Sequence, residues 1–465
     1  MRTLRHGLSV VFSILLAGVL SSCGGGGESE SIDATIRVTV KGLQGSGLVL
    51  QNNLGDNLSI PNDGTFAFPK TVSTGSRYSV TIKTPPTNPS QVCGVVNGTL
   101  YASGIVELDP NISVYVRCVV PVGFAYIANY FSNTISAFAI DASGAMASVV
   151  GSPFAAGSGP RSIAVDSSSN HLYVANHGEG ANNVSAYSIN TTTGTLSPVV
   201  GSPFAAGIRP ASVAIHPSGK FAFVANDASN NVTVYSINGT AGALAEISGS
   251  PFAAGLGPTA VGFDPSGKFA YVTNGSSNNV SVFTIGDGTG ALTAVAGSPF
   301  VTGTKPQAVA TDPMGKFVYV ANYQSQDISV YSVDSNSGAL VTISGSPFES
   351  IGWPLSMVVA PSGKFAYVGH ASAGISTYSI DPASGSLTQF APANTYVAEP
   401  TVVVNPSATF AYATHTTSNS NHEDAVGAFT IDPSSGALTR VDAWPYTFQD
   451  ETVGVGALSM VLIIK

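Results

Sequence analysis

Two histidines stand where related segments of this chain carry asparagine. Four segments end Tyr-Val-Ala-Asn176, Phe-Val-Ala-Asn226, Tyr-Val-Thr-Asn274 and Tyr-Val-Ala-Asn322, whereas two later ones end Tyr-Val-Gly-His370 and Tyr-Ala-Thr-His415. Imidazole changes protonation near neutral pH, so His370 and His415 are candidate general bases. Arg209, Lys305, Trp353 and Glu399 precede prolines at corresponding places, and Arg161 follows one of those prolines. These five are candidate ligand-binding residues, the cations being suited to an anionic group or a developing oxyanion. A second chemistry is metal binding, for which His370, His415, His422 and Glu423 have the right ligand types. No tight ligand spacing such as His-Glu-x-x-His occurs, so His422 and Glu423 are secondary metal candidates and no cofactor is expected. A third reading is scaffold alone, because histidine tolerates the unusual dihedrals of turns. The chain has only 7 His and 17 Lys plus Arg in 465 residues, which makes their concentration at matching positions informative.

The elements that must position these side chains are repeats. Residues 269–316 form the clearest copy, and residues 221–268 and 317–364 match it at the same length of 48. A period of this size marks a repeat architecture. Each copy holds four short runs rich in Val, Ile, Tyr, Phe and Thr, bounded by Gly, Pro, Asn or Asp; in the reference copy they cover 308–311, 269–273, 279–285 and 291–296. Four antiparallel strands per repeat make a propeller blade. Copies open at Phe124, His171, Phe221, Phe269, Phe317, Phe365 and Phe410, which predicts seven blades. The first copy has no room for an innermost strand before it. Residues 457–462, Ala-Leu-Ser-Met-Val-Leu, parallel the innermost run at 354–359, so the C-terminal strand is expected to complete the first blade and close the ring.

Repeated residues are expected to be scaffold. Asp264-Pro265-Ser266-Gly267 and its relatives fit type I turns. The Gly-Ser-Pro-Phe element at 151, 201, 249, 297 and 345 should give each outer strand the same exit. Asn129, Asn176, Asn226, Asn274 and Asn322 end the second strands, where they are expected to bond nearby backbone and accept unusual dihedrals. The Asn-Val-Ser and Asn-Val-Thr triplets at 183, 231 and 279 read as strand starts.

Composition agrees with an all-β chain. Charged residues are 9%, with 51 Gly and 28 Pro, and apolar residues reach 44%, which is core enough to argue against disorder. The formal net charge is −9, and loss of a leader carrying Arg2 and Arg5 would take it to −11. No nucleic-acid partner is expected of such a surface.

Residues 1–22 read as a signal peptide, with Arg2 and Arg5 before a short apolar run. Leu20-Ser21-Ser22-Cys23 resembles the lipobox of bacterial lipoproteins, which implies lipidation of Cys23 and a membrane anchor. Residues 23–31, with Gly24 to Gly27 in succession, would be a flexible tether. Gly24 after the cysteine implies, by the same resemblance, an outer-membrane lipoprotein facing the periplasm or the cell surface. Residues 32–120 lack the repeat and alternate in short runs, which suggests an immunoglobulin-like β-sandwich. Cys93 and Cys118, with 24 residues between them, are expected to form a disulfide contributing roughly 3 kcal/mol through the unfolded state.

Residues 122–465 resemble a known group. Tyr173-Val-Ala-Asn176, Tyr271-Val-Thr-Asn274 and Tyr319-Val-Ala-Asn322 are similar to YVTN-type propeller repeats. With the Asp-Pro-Ser-Gly-Lys turn and the following Phe-Ala-Tyr-Val, they resemble the bacterial seven-bladed lactonase family typified by 6-phosphogluconolactonase. That resemblance implies hydrolysis of a cyclic sugar ester on the top of the ring. The expected function is a binding or scaffolding module recognising a protein, a polysaccharide or a small anionic ligand. The alternative is a lactonase-like hydrolase or lyase acting on an extracytoplasmic cyclic ester.

Overall fold

Among the described residues seven antiparallel sheets follow one another along the chain, and in six of them the strands run in sequence order from inside to outside. They come from a computed structural model that describes residues 33–96, 103–106, 111–390, 401–415, 425–441, 446–447 and 457–464. In the reference blade the inner strand is Pro258–Phe263, the second Phe269–Asn274, the third Asn279–Ile285 and the outer one Leu292–Ala294. All six residues of the second strand are buried, because each of its faces meets a different core. Phe269 and Tyr271 pack with Val318 and Val320 of the next blade, while Ala270 and Val272 pack with Phe221 and Phe223 of the preceding one. A continuous apolar run is what a strand buried on both faces requires.

Ring closure is as the repeat implied. Strand Ala457–Ile464 pairs antiparallel with Gly123–Asn129 and forms the innermost strand of the first blade. Met460 joins the core shared with the last blade, and Ile463 joins the core shared with the second. The N- and C-terminal ends of the ring are therefore held in one sheet.

The outer strand differs from expectation. Instead of one run at 291–296, Leu292–Ala294 ends, the Gly-Ser-Pro-Phe turn follows, and Phe300–Val301 returns to pair with the start of the third strand. The turn's serine explains the break: Ser298 Oγ accepts the backbone N–H of Val282 at 2.9 Å, which the interrupted ladder would leave unpaired. Ser152, Ser202, Ser250 and Ser346 do the same in other blades. The motif is thus part of the sheet rather than an exit from it.

The repeated asparagines also behave differently. None of Asn129, Asn176, Asn226, Asn274 and Asn322 has positive φ; that conformation falls at Asn133, Asn182, Asn230, Asn278 and Gln326. The strand-ending asparagines are fully buried and bond side chains across the sheet. Asn274 Nδ2 donates to Asn279 Oδ1 at 2.8 Å and to Ser281 Oγ at 2.9 Å.

Ahead of the ring, two sheets share one apolar core that includes Ile36, Val38, Leu50, Val80 and Val116, as in a sandwich. Among the described residues nine strands occur here, including the short Val72–Ser73 and Ser103–Ile105. Strands Asp33–Lys41 and Asn111–Val119 run parallel. Cys93 and Cys118 are register partners and form a disulfide. The joint to the ring is close: a Cβ on Gly94 would come within 2.5 Å of the Ser148 backbone nitrogen in the first blade.

Candidate active site on the rim

One rim collects the two kinds of loop that vary between repeats. In each of five blades the residue after the strand-ending Asn or His donates its N–H to the carbonyl of the residue before the strand-opening proline. The pairs are His177 to Gly159, Asp227 to Arg209, Gly275 to Gly257, Tyr323 to Lys305 and Ala371 to Trp353, at 2.7 to 3.0 Å. The loops are also latched between blades. Asn133, Asn182, Asn230 and Asn278 accept the N–H of Gly159, Arg209, Gly257 and Lys305 through Oδ1.

Arg161 reaches the rim through a bulge. The register of the inner strand shifts between Pro160 and Ser162, and corresponding shifts occur at Pro210, Pro258, Pro306 and Pro354. A bulge leaves one residue out of the ladder and re-aims its side chain. In the second blade that residue is an arginine.

Arg161, His177, Arg209 and Asp227 form a single cluster across the second and third blades. Arg161 Nη1 donates to His177 Nε2 at 3.0 Å. A guanidinium has no acceptor, so this contact leaves the imidazole neutral with its proton on Nδ1. His177 Nδ1 is buried and has no hydrogen-bond partner. Asp227 Oδ2 lies 3.7 Å from His177 Nε2 and 3.9 Å from Arg209 Nη2. These distances are electrostatic contacts, too long for hydrogen bonds. The acceptor nitrogen of His177, 3.7 Å away, donates nothing to Asp227; the guanidiniums of Arg209 and Arg161 hold its carboxyl below the usual carboxylate range despite its partial burial. Burial works against the charge on Arg161, and Asp227 offsets it. Tyr130 stands beside His177, their ring centroids 6.2 Å apart. The cluster opens to solvent through Arg209, 54% exposed, and Asp227, 27% exposed.

Two guanidiniums, one carboxylate and a neutral imidazole leave a net positive charge within a chain of net −9. The arrangement can bind an anionic group, stabilise a developing oxyanion and take up a proton at a nitrogen next to both arginines.

Other candidates lie elsewhere. Lys305 and Trp353 form a second group, three blades around from Arg161, in which the Lys305 ammonium lies over the Tyr323 ring and Trp353 stacks beside it. His370 is fully buried beneath the rim. His415 ends its strand in register with Ala425. Glu399, His422, Glu423 and Cys23 lie outside the described residues.

His370 occupies the core position of the strand-ending asparagines. Its Nδ1 meets Ser350 Oγ at 3.3 Å, while its Nε2 and the nearby Ser376 Oγ are buried without partners. Burial lowers its pKa from 6.5 to about 4, with partial opposition from a backbone hydrogen bond to Gly352. The unfolded chain then binds more protons than the folded one between those values, so the stability contributed by neutral His370 is complete above pH 6.5 and declines as pH falls towards 4. The loss amounts to roughly 3 kcal/mol. Asparagine at this site would offer Ser376 the donor that Ser281 and Ser329 receive. His370→Asn should therefore stabilise the protein by about 1 kcal/mol at pH 7, and by more at pH 4.5. Urea unfolding at both pH values measures this; equal pH dependence in the two proteins would refute it.

The ring's blade count agrees with what comparison shows. A model of the seven-bladed β-propeller lactonase family matches residues 118–207, 200–252, 243–405 and 348–450. The chain belongs to that family. Among solved structures, this lactonase-family chain is similar to a candidate 6-phosphogluconolactonase from Bacteroides uniformis, with a TM-score of 0.62 and 17% identity over 73% of this chain and 99% of that one. It is likewise similar to the periplasmic gluconolactonase of Pseudomonas aeruginosa, with a TM-score of 0.60 and 19% identity over 73% and 99%. At such identities the likeness carries the family fold and no more. No curated protein matches the chain. Within the lactonase-family ring, sequence reading missed His177, Asp227, Tyr130 and Tyr323. The available signal was variation at the residue following each strand-ending Asn.

Proposed function

We propose that the protein is a lactonase-type hydrolase whose site is the Arg161–His177–Asp227–Arg209 cluster. The observation that carries this reading is the 3.0 Å contact between Arg161 and the acceptor nitrogen of His177, with Asp227 beside it. When a lactone carbonyl draws the guanidiniums of Arg161 and Arg209, His177 Nε2 is released to act as a base. A water oxygen then bonds to the carbonyl carbon as its proton passes to Nε2, and the carbonyl electrons move onto an oxyanion facing the arginines. Collapse of that intermediate breaks the ring C–O bond. His177 returns its proton to the leaving alkoxide, and the product is an open hydroxy acid. Asp227 is held firmly ionised, which makes it a poor base and suits it to balance the imidazolium formed midway.

The leader at residues 1–22 and Cys23 support export and lipid anchoring of this activity, at an outer membrane by the residue after the cysteine. The substrate would then be an extracytoplasmic cyclic ester. A second reading, a binding or scaffolding module without turnover, is favoured by the exposed aromatic surface at Trp353.

The test is proton release from a panel of sugar and acyl lactones, including glucono-1,5-lactone, with and without added divalent metal. Turnover well above spontaneous hydrolysis is expected. No acceleration of any lactone would sink the hydrolase reading.

A further inference from the structure

We infer that Lys305, Tyr323 and Trp353 form a saccharide subsite for an acidic sugar, separate from the Arg161–His177 cluster and on the same rim. The inference rests on the lactonase reading only for its placement, since binding here needs no turnover.

Trp353 is one of 2 tryptophans in the chain and is 41% exposed, an unusual position for so large an apolar ring. Its backbone is held, the carbonyl accepting the N–H of Ala371 at 2.9 Å. The neighbour at that place is an alanine, where the second, third and fifth blades carry histidine, aspartate and tyrosine, so it brings no large side chain to lie over the indole. The indole stacks with Tyr323, centroids 6.3 Å apart and planes 28° from parallel. Lys305 places its ammonium 5.0 Å from the centre of the Tyr323 ring. Together they set an exposed indole beside a tyrosine ring that carries the Lys305 ammonium over its face. Aromatic faces of this kind accept the apolar faces of pyranose rings, and the ammonium suits a carboxylate on the same sugar.

The backbone of Lys305 adds an independent argument. Its φ is 58°, and Arg209 at the corresponding place has φ 57°, whereas the second and fourth blades put Gly159 and Gly257 in that conformation. The repeat thus has an unstrained solution at this position, and two blades forgo it for a cation. Backbone strain retained at an exposed charged residue points to a ligand rather than to folding. Between the two cation positions the fourth blade has Gly257, Thr259 and Gly275 at the places held in the second and third blades by Gly159 or Arg209, Arg161 or Ala211, and His177 or Asp227.

Fluorescence of the full-length protein with Trp444→Phe isolates Trp353 as the reporter. Titration with trigalacturonic acid should give saturable quenching, with maltotriose at least tenfold weaker. By calorimetry, Trp353→Ala should lose at least tenfold in affinity for the acidic sugar. Lys305→Gly should bring that affinity down to the maltotriose level while the melting temperature stays level or rises by a few degrees. His177→Gln should bind the sugar as the parent does, which separates this site from the hydrolytic one. Absence of saturable binding, unchanged binding by Trp353→Ala, or equal binding of triglutamate would each overturn the saccharide assignment. Lactone turnover without sugar binding would remove this subsite alone, and sugar binding without turnover would remove the hydrolase reading alone.

Discussion

A chain ending at residue 456 should fail to form the ring, because the strand it loses is the inner wall of the first blade. Ala457–Ile464 pairs along the whole of Gly123–Asn129, from Gly123 opposite Ile464 to Asn129 opposite Ala457. Removing it exposes that ladder as an open edge and uncovers two cores at once. Met460 and Ile463 are 4% and 5% exposed and lie in different cores, so their losses should be nearly additive. Truncating one such side chain costs about 2–5 kcal/mol. The pair alone therefore approaches the 5–15 kcal/mol that stabilises a typical domain. The double variant Met460→Ala, Ile463→Ala should melt at least about 10 °C lower. The truncated protein should lose its cooperative transition in calorimetry and recover it when a peptide spanning 457–465 is added. A truncated ring melting at the parent temperature would show that closure lies elsewhere.

The second large effect is expected at His177 and Asp227. If Nε2 of His177 takes the proton of the attacking water, His177→Gln should lower kcat by about 10²–10⁴-fold, the usual worth of a positioned base. Glutamine keeps a polar side chain at the rim, so the melting temperature should change little. Asp227→Asn should behave differently. It leaves Arg161 and Arg209 without their carboxylate, so the site becomes more positive and should bind anionic inhibitors and hydroxy-acid products more tightly. The same change removes the charge that balances a protonated His177, so kcat should fall by about 10–100-fold. Opposite movements of inhibitor affinity and kcat are the signature of a charge-balancing residue, which a merely structural role would not produce. Turnover unchanged in His177→Gln would remove the imidazole from the reaction.

His370 and His177 show how far a repeat can be read from its pattern. The break at His370 was visible because it replaces an asparagine. Side chains in a strand alternate between faces, however, and the strand-ending position points into the sheet, where His370 is fully buried. The next residue is the one whose N–H bonds the loop before the inner strand, and it stands at the rim. Tyr130, His177, Asp227 and Tyr323 occupy this place, which by composition looks like ordinary turn variation. Arg161 was legible as a rim cation, but its aim depends on a register shift that no residue type announces.

By itself the sequence determined the number of blades, the strand that closes them and the cysteine pair, because each depends on a pattern repeated or matched along the chain. Which side chains share a site was decided only by the tertiary structure. Arg161 and His177 come from one blade, Arg209 and Asp227 from the next, and their meeting depends on the bulge, the cross-blade asparagine latches and the angle between adjacent sheets. Those are properties of packing between repeats, and no single repeat contains them.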